Sequence, residues 1–481
     1  MAEKRKLRVD ERAKRMRNRI LNGPIERTLL ALAGPLIVNN LVQVVYNITD
    51  TFWLGRLGRK ALSAPGVTWP IIGTLMAFGM GFAMAGFSLV GQYVGAGRYE
   101  RAERSAGALY SMMIFFSSVS MAIGLLLLPP ALRFMKVSPG VYPYALTYAR
   151  IVFMGVPFSF LAMTFGALVR AVGDTRTPVK INVLTVLINV VLDPILIFGL
   201  IGLPRLGVAG AATATLISSV VGALLGAYLL FSGRVSLRLR LSDLKPDWEF
   251  YGRIFRVGLP SSVGQSANSF GFILLTRIIF GFGDVTYAAY IITTRLVNFI
   301  TSISRGISMA MGTMIAQNIG AENYGRAKRI AERTMLINLA IASFAVLIIG
   351  VFRVPIFRVF LNDPKVIKES AIVMKYFLIS VPAFNGILMV VNRTFSSAGH
   401  TKKSMTVSMF RLWGLRLPLS YIFGYVSSVT ILGVTIPLAS LFGMSSRGVF
   451  FGMGLSNFIA AAVALAWFMR GTWMKRIIEG G

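Results

Sequence analysis

The chain has 481 residues, 55% of them hydrophobic and 14% charged, with a mean hydropathy of +0.69, a balance that excludes a water-soluble protein built round one core. The formal net charge of +32 would in a soluble protein point to nucleic acid, so its distribution has to be read before its size. Cysteine is absent, which excludes disulfides and thiolate metal sites.

The first 28 residues form a polar arm, and the helix that follows is longer than the ~7–15-residue apolar core of a cleaved secretory signal, so the arm is expected to be retained. Its Lys4, Arg5, Lys6, Arg8 and the basic residues from Arg12 to Arg19 set topology and offer charge to anionic lipid. Twelve apolar runs follow, near 29–53, 64–90, 107–130, 145–169, 178–201, 207–231, 254–280, 286–316, 334–351, 371–396, 404–426 and 448–469. At ~1.5 Å per residue each can cross a ~30 Å hydrocarbon core. The expected organisation is a cytoplasmic arm over 1–28, a six-helix lobe over 29–231, a cytoplasmic linker over 232–249, a second six-helix lobe over 250–470 and a cytoplasmic tail over 471–481. With both termini inside, 31 of the 50 Lys and Arg fall on the cytoplasmic face and 11 in external loops. The positive-inside rule thus accounts for the charge, with membrane lipid and no nucleic acid as partner.

An offset of 225 residues lays Gln92–Arg104 over Gln317–Arg329 with seven of thirteen positions identical, and pairs Pro35 with Pro260 and Pro157 with Pro382. Gly173-Asp-Thr175 matches Gly399-His-Thr401 with a slip of one residue. The offset spans an even number of helices, so the halves run in the same direction and should be related by a two-fold axis along the membrane normal, facing a central cleft.

Of the 18 acidic residues, only Asp50 and Asp193 lie inside apolar runs. A carboxylate there costs ~2.5–3.5 kcal/mol on insertion scales and normally marks an ion or proton path. Helical spacing extends each acid into a polar stripe: Asn40, Gln43, Asn47 and Asp50 on the first helix, and Asn182, Thr185, Asn189 and Asp193 on the fifth. Both acids fall in the outer half of the membrane, where one pocket can hold them. Two desolvated carboxylates can exchange a proton near neutral pH, and the same oxygens, with Asn189 and a threonine hydroxyl, can hold sodium. The spacing leaves both ions open.

The second half keeps Gln265 and Asn268 at the repeat positions of Asn40 and Gln43 but has lost the acids, with leucine at 275 and Leu417-Pro418 in place of Asp193-Pro194. Coupling is therefore expected in the first lobe alone. Arg277, Arg295, Arg305, Arg393, Arg411 and Arg416 lie in or near second-half helices; snorkelling or pairing with carbonyls accounts for most, and Arg295 is the functional exception. Small residues such as Gly79, Gly81 and Gly86, and Gly306 and Gly312, allow close helix packing. Some of the 23 methionines suit an adaptable cleft wall. Pro35 removes a hydrogen bond to Ala31 and makes a hinge or kink in the acid-bearing helix.

Pro35 with the polar stripe and Asp50-Thr-Phe-Trp-Leu-Gly, Gln92 to Ala96, Gly173-Asp-Thr-Arg176, Asn189 with Asp193-Pro194, and Gly210-Ala-Ala-Thr-Ala-Thr215 together resemble the multidrug and toxic compound extrusion (MATE) family from about residue 24 to 470. The two aspartates are most similar to its DinF-like branch, archaeal members included. The resemblance implies an all-α, V-shaped pair of six-helix bundles in the cell membrane. It implies a monomeric antiporter that exports organic, cationic and aromatic compounds in exchange for protons or sodium, the proton ahead, with no other cofactor. Ion-coupling roles would fall on Asp50, Asn189, Asp193 and a threonine, Thr213 or, preferred, Thr215. Gln43, Tyr46, Asn47 and Tyr148 would line the cavity beside Asn40, Gln265, Asn268 and Arg295, with Pro35 as hinge. The rival reading is a lipid-linked oligosaccharide or peptidoglycan-precursor flippase, for which the basic second half speaks. An enzyme is not expected: there is one histidine, no G-x-S-x-G elbow and no Gly-Lys dipeptide for a Walker A loop.

Overall fold

The structure, a computed structural model, describes residues 2–361, 363–431, 434–437, 441 and 443–478, with no side-chain description for 2–8, 59 and 429–436. The arm residues Lys4, Arg5, Lys6 and Arg8 lie outside the described side chains, and 479–481 of the expected tail lie outside the described residues. Helix α1 (Ala2–Asn22) is followed by α2 (Ile25–Arg56), α3 (Arg59–Gly95) and α4 (Tyr99–Phe134). The fourth span is a pair, α5 (Tyr142–Met154) and α6 (Val156–Ala171), bent by 48° where Gly155 meets Pro157 at the start of α6. Then come α7 (Arg176–Phe198), α8 (Val208–Ser232), α9 (Trp248–Phe280), α10 (Asp284–Gly320) and α11 (Tyr324–Val351), with a short α12 (Arg353–Phe360). The tenth span joins α13 (Pro364–Tyr376) to α14 (Met389–Ser397), the eleventh joins α15 (Thr401–Met409) to α16 (Leu417–Tyr425), and α17 (Ser446–Met469) is the twelfth.

Eight of these helices, and the bent pair as a ninth, are long and apolar enough to cross a membrane by length and composition alone. α9, α10 and the α15–α16 run carry more polar residues along their length, so hydropathy alone does not mark them, but they pack among the others to complete the expected two bundles of six. Two features depart from a plain reading of twelve helices. A short antiparallel ribbon, β1 (Val429–Ile431) and β2 (Val434–Ile436), lies between α16 and α17. In the second half the tenth span contains a π turn over Ala383–Leu388, and the eleventh contains one over Phe410–Arg416. A π turn accommodates one extra residue per turn without changing composition, which is why periodicity did not reveal it.

Helix pairing in the first half recurs in the second: α7 with α8 as α16 with α17, α3 with α4 as α10 with α11, and α3 with α5 as α10 with α13. The halves meet where α3 packs on α9 and α10 packs on α2. At these crossings the 225-residue repeat becomes contact geometry. A Cβ on Gly81 would strike the Ser262 backbone, and one on Gly306, its repeat partner, would strike Ile37. At the end bearing the chain termini, hereafter the terminal face, a Cβ on Gly95 would strike the Gln317 carbonyl, and one on Gly320 the Gln92 carbonyl. The glutamines are reciprocal as well: Gln92 Nε2 donates to the Ala398 carbonyl (3.0 Å) and Gln317 Nε2 to the Ala171 carbonyl (2.8 Å). Ala171 and Ala398 precede the turns at Gly173 and Gly399, whose φ of +106° and +83° glycine alone adopts without strain. Near the opposite face Gly58, Gly66 and Gly283 meet nothing within 4 Å, as the arms of a V would leave them.

The basic arm is helical as α1, and it docks. Val9, Ala13, Met16 and Ile20 recur at steps of four, three and four, and Val9, Ala13 and Ile20 are buried. Arg17 Nε donates to the Gly95 carbonyl of the first half (2.9 Å) and Arg12 Nη1 to the Arg234 carbonyl at the start of the linker (2.8 Å). From the second half, Arg326 Nη2 donates to the carbonyls of Ile20 and Gly23. α1 thus spans the seam. At the same face the Ile477 N–H donates to Gln92 Oε1 (3.0 Å).

Overpacking a close crossing costs about 1–3 kcal/mol. Gly95→Val and Gly320→Val should each lower the thermal unfolding midpoint in detergent, whereas Gly252→Ala, with open space around it, should not. A Gly95→Val protein that melts like wild type would show that the reciprocal crossing contributes nothing to stability.

Candidate functional site

α2, which carries the first stripe, packs on α7, which carries the second, and α8 packs beside α7. Asp193 is fully buried and Asn189 is 1% exposed. With the Asn189 amide oriented to satisfy both neighbours, its nitrogen donates to Asp193 Oδ2 (3.1 Å) and its oxygen accepts from the Thr215 N–H (3.2 Å). Thr215 is also the side chain to which the Tyr46 hydroxyl is hydrogen-bonded. The second Asp193 oxygen, Oδ1, has no protein partner. Asp50 is half-buried, and Asp50, Asp193, Tyr46 and Tyr148 lie within electrostatic reach of one another. The two acids, Asn189, Thr215 and the two tyrosines therefore form one cluster, drawn from α2, α5, α7 and α8.

A buried carboxylate oxygen without a partner is expensive unless a proton or cation meets it. The oxygens gathered here, two carboxylates and the Thr215 hydroxyl, are hard ligands that suit a proton or sodium, and the Asn189 amide, its nitrogen on Asp193, would have to turn over to add its carbonyl.

Two adjoining cavities lie inside the molecule. The first, about 480 Å3, is lined by Asn40, Gln43, Tyr46, Asn182, Asn189 and Thr215 among others. The second, about 530 Å3, carries Gln265 and Asn268, and the two share Met163, Arg170 and Met309 as a wall. Asn40 also ties the halves together, its Nδ2 donating to the Ser302 carbonyl (2.8 Å). Asn47 and Arg295 are exposed and line neither cavity, and Tyr148 packs into the first-half core. Pro35 lies within an unbroken α2.

The arginines read as snorkelling are placed differently. Arg416 is buried and bonded to Asn457 Oδ1 (2.6 Å) and Ser456 Oγ (3.2 Å). Arg305, Arg393 and Arg411 line the second cavity together with Arg170. Arg170, one residue beyond the fourth apolar run, sits in the last turn of α6, one turn after Gly166.

The MatE family model matches the chain twice, over residues 35–195 and 260–422. The two matches begin 225 residues apart, the offset of the internal repeat. The probable multidrug resistance protein NorM of Thermotoga maritima is 27% identical over 459 residues, covering 94% of each chain. The probable multidrug resistance protein YoeA of Bacillus subtilis is 26% identical over 411 residues, 85% of this chain and 89% of the relative. A MOP superfamily transporter of Pyrococcus furiosus has the same fold, with a TM-score of 0.85 at 24% identity over 95% of this chain and 98% of that one. Two matched halves, the duplicated packing and an intramembrane carboxylate cluster thus agree: the chain belongs to the MatE family, and is a multi-pass membrane transporter rather than an enzyme.

Proposed function

We propose that this transporter exports small organic molecules in exchange for an ion bound at Asp50, Asp193, Asn189 and Thr215, with the proton ahead of sodium. The observation that carries this reading is shared membership. Asn189, Thr215 and Tyr46 touch the carboxylate cluster and also form part of the first cavity wall. An ion that rearranges their hydrogen bonds alters the surface offered to cargo. Relatives named for multidrug resistance support a small organic cargo.

In this scheme the lobes are 29–231 and 250–470, joined by a linker over 232–249, with the arm over 1–28, the tail over 471–481 and the whole terminal face cytoplasmic in the cell membrane. The protein works as a monomer. Loading the ion on Asp193 satisfies Oδ1 and redirects the Asn189 amide, α2 bends at Pro35, and the first cavity narrows as cargo leaves outward. A ligand shifts such an equilibrium only through unequal affinity for its two states, so cargo and ion are negatively linked.

Asp50→Asn and Asp193→Asn should each reduce gradient-driven export by proteoliposomes to background while the protein still folds and inserts. Neutralising an intramembrane carboxylate relieves desolvation, and an asparagine oxygen at 193 still accepts from Asn189. Export that keeps its dependence on imposed pH and sodium gradients in both variants would end the proposal.

Asn189→Ala should shift the ion concentration for half-maximal export by about tenfold, because it strands Asp193 without its amide donor at a cost of about 1–3 kcal/mol. Gln265→Ala and Asn268→Ala should change cargo affinity and leave that ion dependence where it was. Flux titrations against pH and sodium, run beside equilibrium cargo binding, separate the two classes of variant.

A further inference from the structure

Four arginines from four helices line the second cavity: Arg170 at the end of α6, Arg305 on α10, Arg393 on α14 and Arg411 in the π turn before α16. No carboxylate appears among the described residues lining either cavity. None of the four arginines has an ion-pair partner among the described residues, in contrast to Arg253, which pairs with Glu249. What the structure gives them instead is aromatic and sulfur surface. The Arg411 guanidinium lies over the Phe384 ring at 5.0 Å, and that of Arg393 over Phe87 at 4.8 Å with the Met84 sulfur 3.1 Å from Nη1. Such faces hold a cation by about 0.5–2 kcal/mol but leave most of its five N–H donors unused. Arg170 Nε and Arg393 Nε are buried without any acceptor.

The seats are built. A Cβ on Gly166 would meet Arg170 Nη1 at 2.8 Å, and one on Gly312 would meet Ser397 Oγ at 2.6 Å and Arg393 Nε at 2.7 Å, so glycine at these positions lets the guanidinium groups sit where they do. Between the arginines the wall supplies hydroxyls, among them Ser261, Ser308, Ser404 and Ser408, which can donate to an oxyanion. Met80, Met84, Met163, Met309, Met389 and Met405 supply an adaptable apolar surface for whatever carries it. A cluster of like charges in a low-dielectric cavity is costly unless an opposite charge joins it.

We propose that the second cavity is an organic-oxyanion site, in which a phosphate or carboxylate group is held by Arg170, Arg393 and Arg411, with Arg305 at its margin. The proposal rests on the reading of these cavities as the cargo path, and it gives that cargo a negative charge. Planar guanidinium groups match such oxygens two at a time, and a cavity of about 530 Å3 fits a ligand of drug-like size. The anion is either a water-soluble molecule or the headgroup of an anionic phospholipid.

The test uses the full-length protein in nanodiscs and two probes with the same xanthene body, anionic carboxyfluorescein and cationic rhodamine 123, followed by fluorescence anisotropy. Carboxyfluorescein should bind at least about tenfold tighter than rhodamine 123, the ratio expected from one charge-assisted hydrogen bond of about 1.5–3 kcal/mol. Arg393→Gln and Arg411→Gln should each weaken it by about the same factor, and Arg277→Gln, exposed and outside both cavities, should not. If a buried arginine proves necessary for folding, Arg305→Gln, whose side chain is exposed, and Arg393→Lys provide the same comparison in folded protein.

Binding that is strong in phosphatidylcholine discs and lost in phosphatidylglycerol discs supports the site with the lipid headgroup as occupant. Binding indifferent to lipid supports it with a soluble anion. Rhodamine 123 bound as tightly as carboxyfluorescein, or carboxyfluorescein affinity unchanged in the folded arginine variants, overturns the proposal. Gradient-driven flux of rhodamine 123 without carboxyfluorescein binding would sink the oxyanion site and leave ion-coupled export standing. Arginine-dependent carboxyfluorescein binding without flux of any probe would do the reverse.

Discussion

The join between the halves depends on one α-helix crossing at which backbone meets backbone twice. Gly95 against the Gln317 carbonyl and Gly320 against the Gln92 carbonyl bring α3 and α10 together at the terminal face, and Gly81 and Gly306 repeat the approach one level in. In lipid, apolar burial does not drive helices together, so association comes from close van der Waals contact and a few hydrogen bonds. The glutamines supply these bonds, each reaching a carbonyl that ends a helix in the opposite half. Contacts concentrated at one end leave the other end of each bundle free to diverge.

The halves share a plan, but only the first keeps carboxylates inside its apolar runs. Where the first half has Asp50, the second has Leu275, fully buried in a core cluster. Where the first has Asp193 beside Asn189, the second has Leu417 next to Arg416, which is bonded to Asn457 and Ser456. Duplication thus preserved the packing surfaces and released the interior polar positions. The first half's set suits a cation, while the proposed anion site draws on Arg305, Arg393 and Arg411 of the second half and Arg170 of the first. The expectation of cationic cargo came from the family resemblance alone, and nothing in the residues lining the cavities adds to it.

Much of this was legible in the sequence because membrane folding leaves few options. Apolar runs have to be helices, a 225-residue repeat spanning six of them has to give parallel halves, and an aspartate flanked by asparagine and proline in such a run has to be accommodated. What stayed hidden depends on rotation about helix axes. Arg393 follows the π turn at 383–388, Arg411 lies within the one at 410–416, and no period in the sequence marks an inserted residue. Arg170 sat at a span boundary, where one or two residues decide between loop and cavity. The apolar face of α1 was masked by the charge around it, although Val9, Ala13, Met16 and Ile20 already had the spacing.

That docked helix has a consequence for how the protein is made. Gly23 and Arg326, which hydrogen-bond across the seam, are 303 residues apart. At ~5–20 residues per second, α1 leaves the ribosome roughly 15–60 s before its second-half partner exists. Through that interval its face of Val9, Ala13 and Ile20, flanked by arginines, has the membrane surface as its nearest apolar neighbour. The helix that straddles the finished seam can therefore complete its docking only after Arg326 has been made, so its contacts close only once both halves are present.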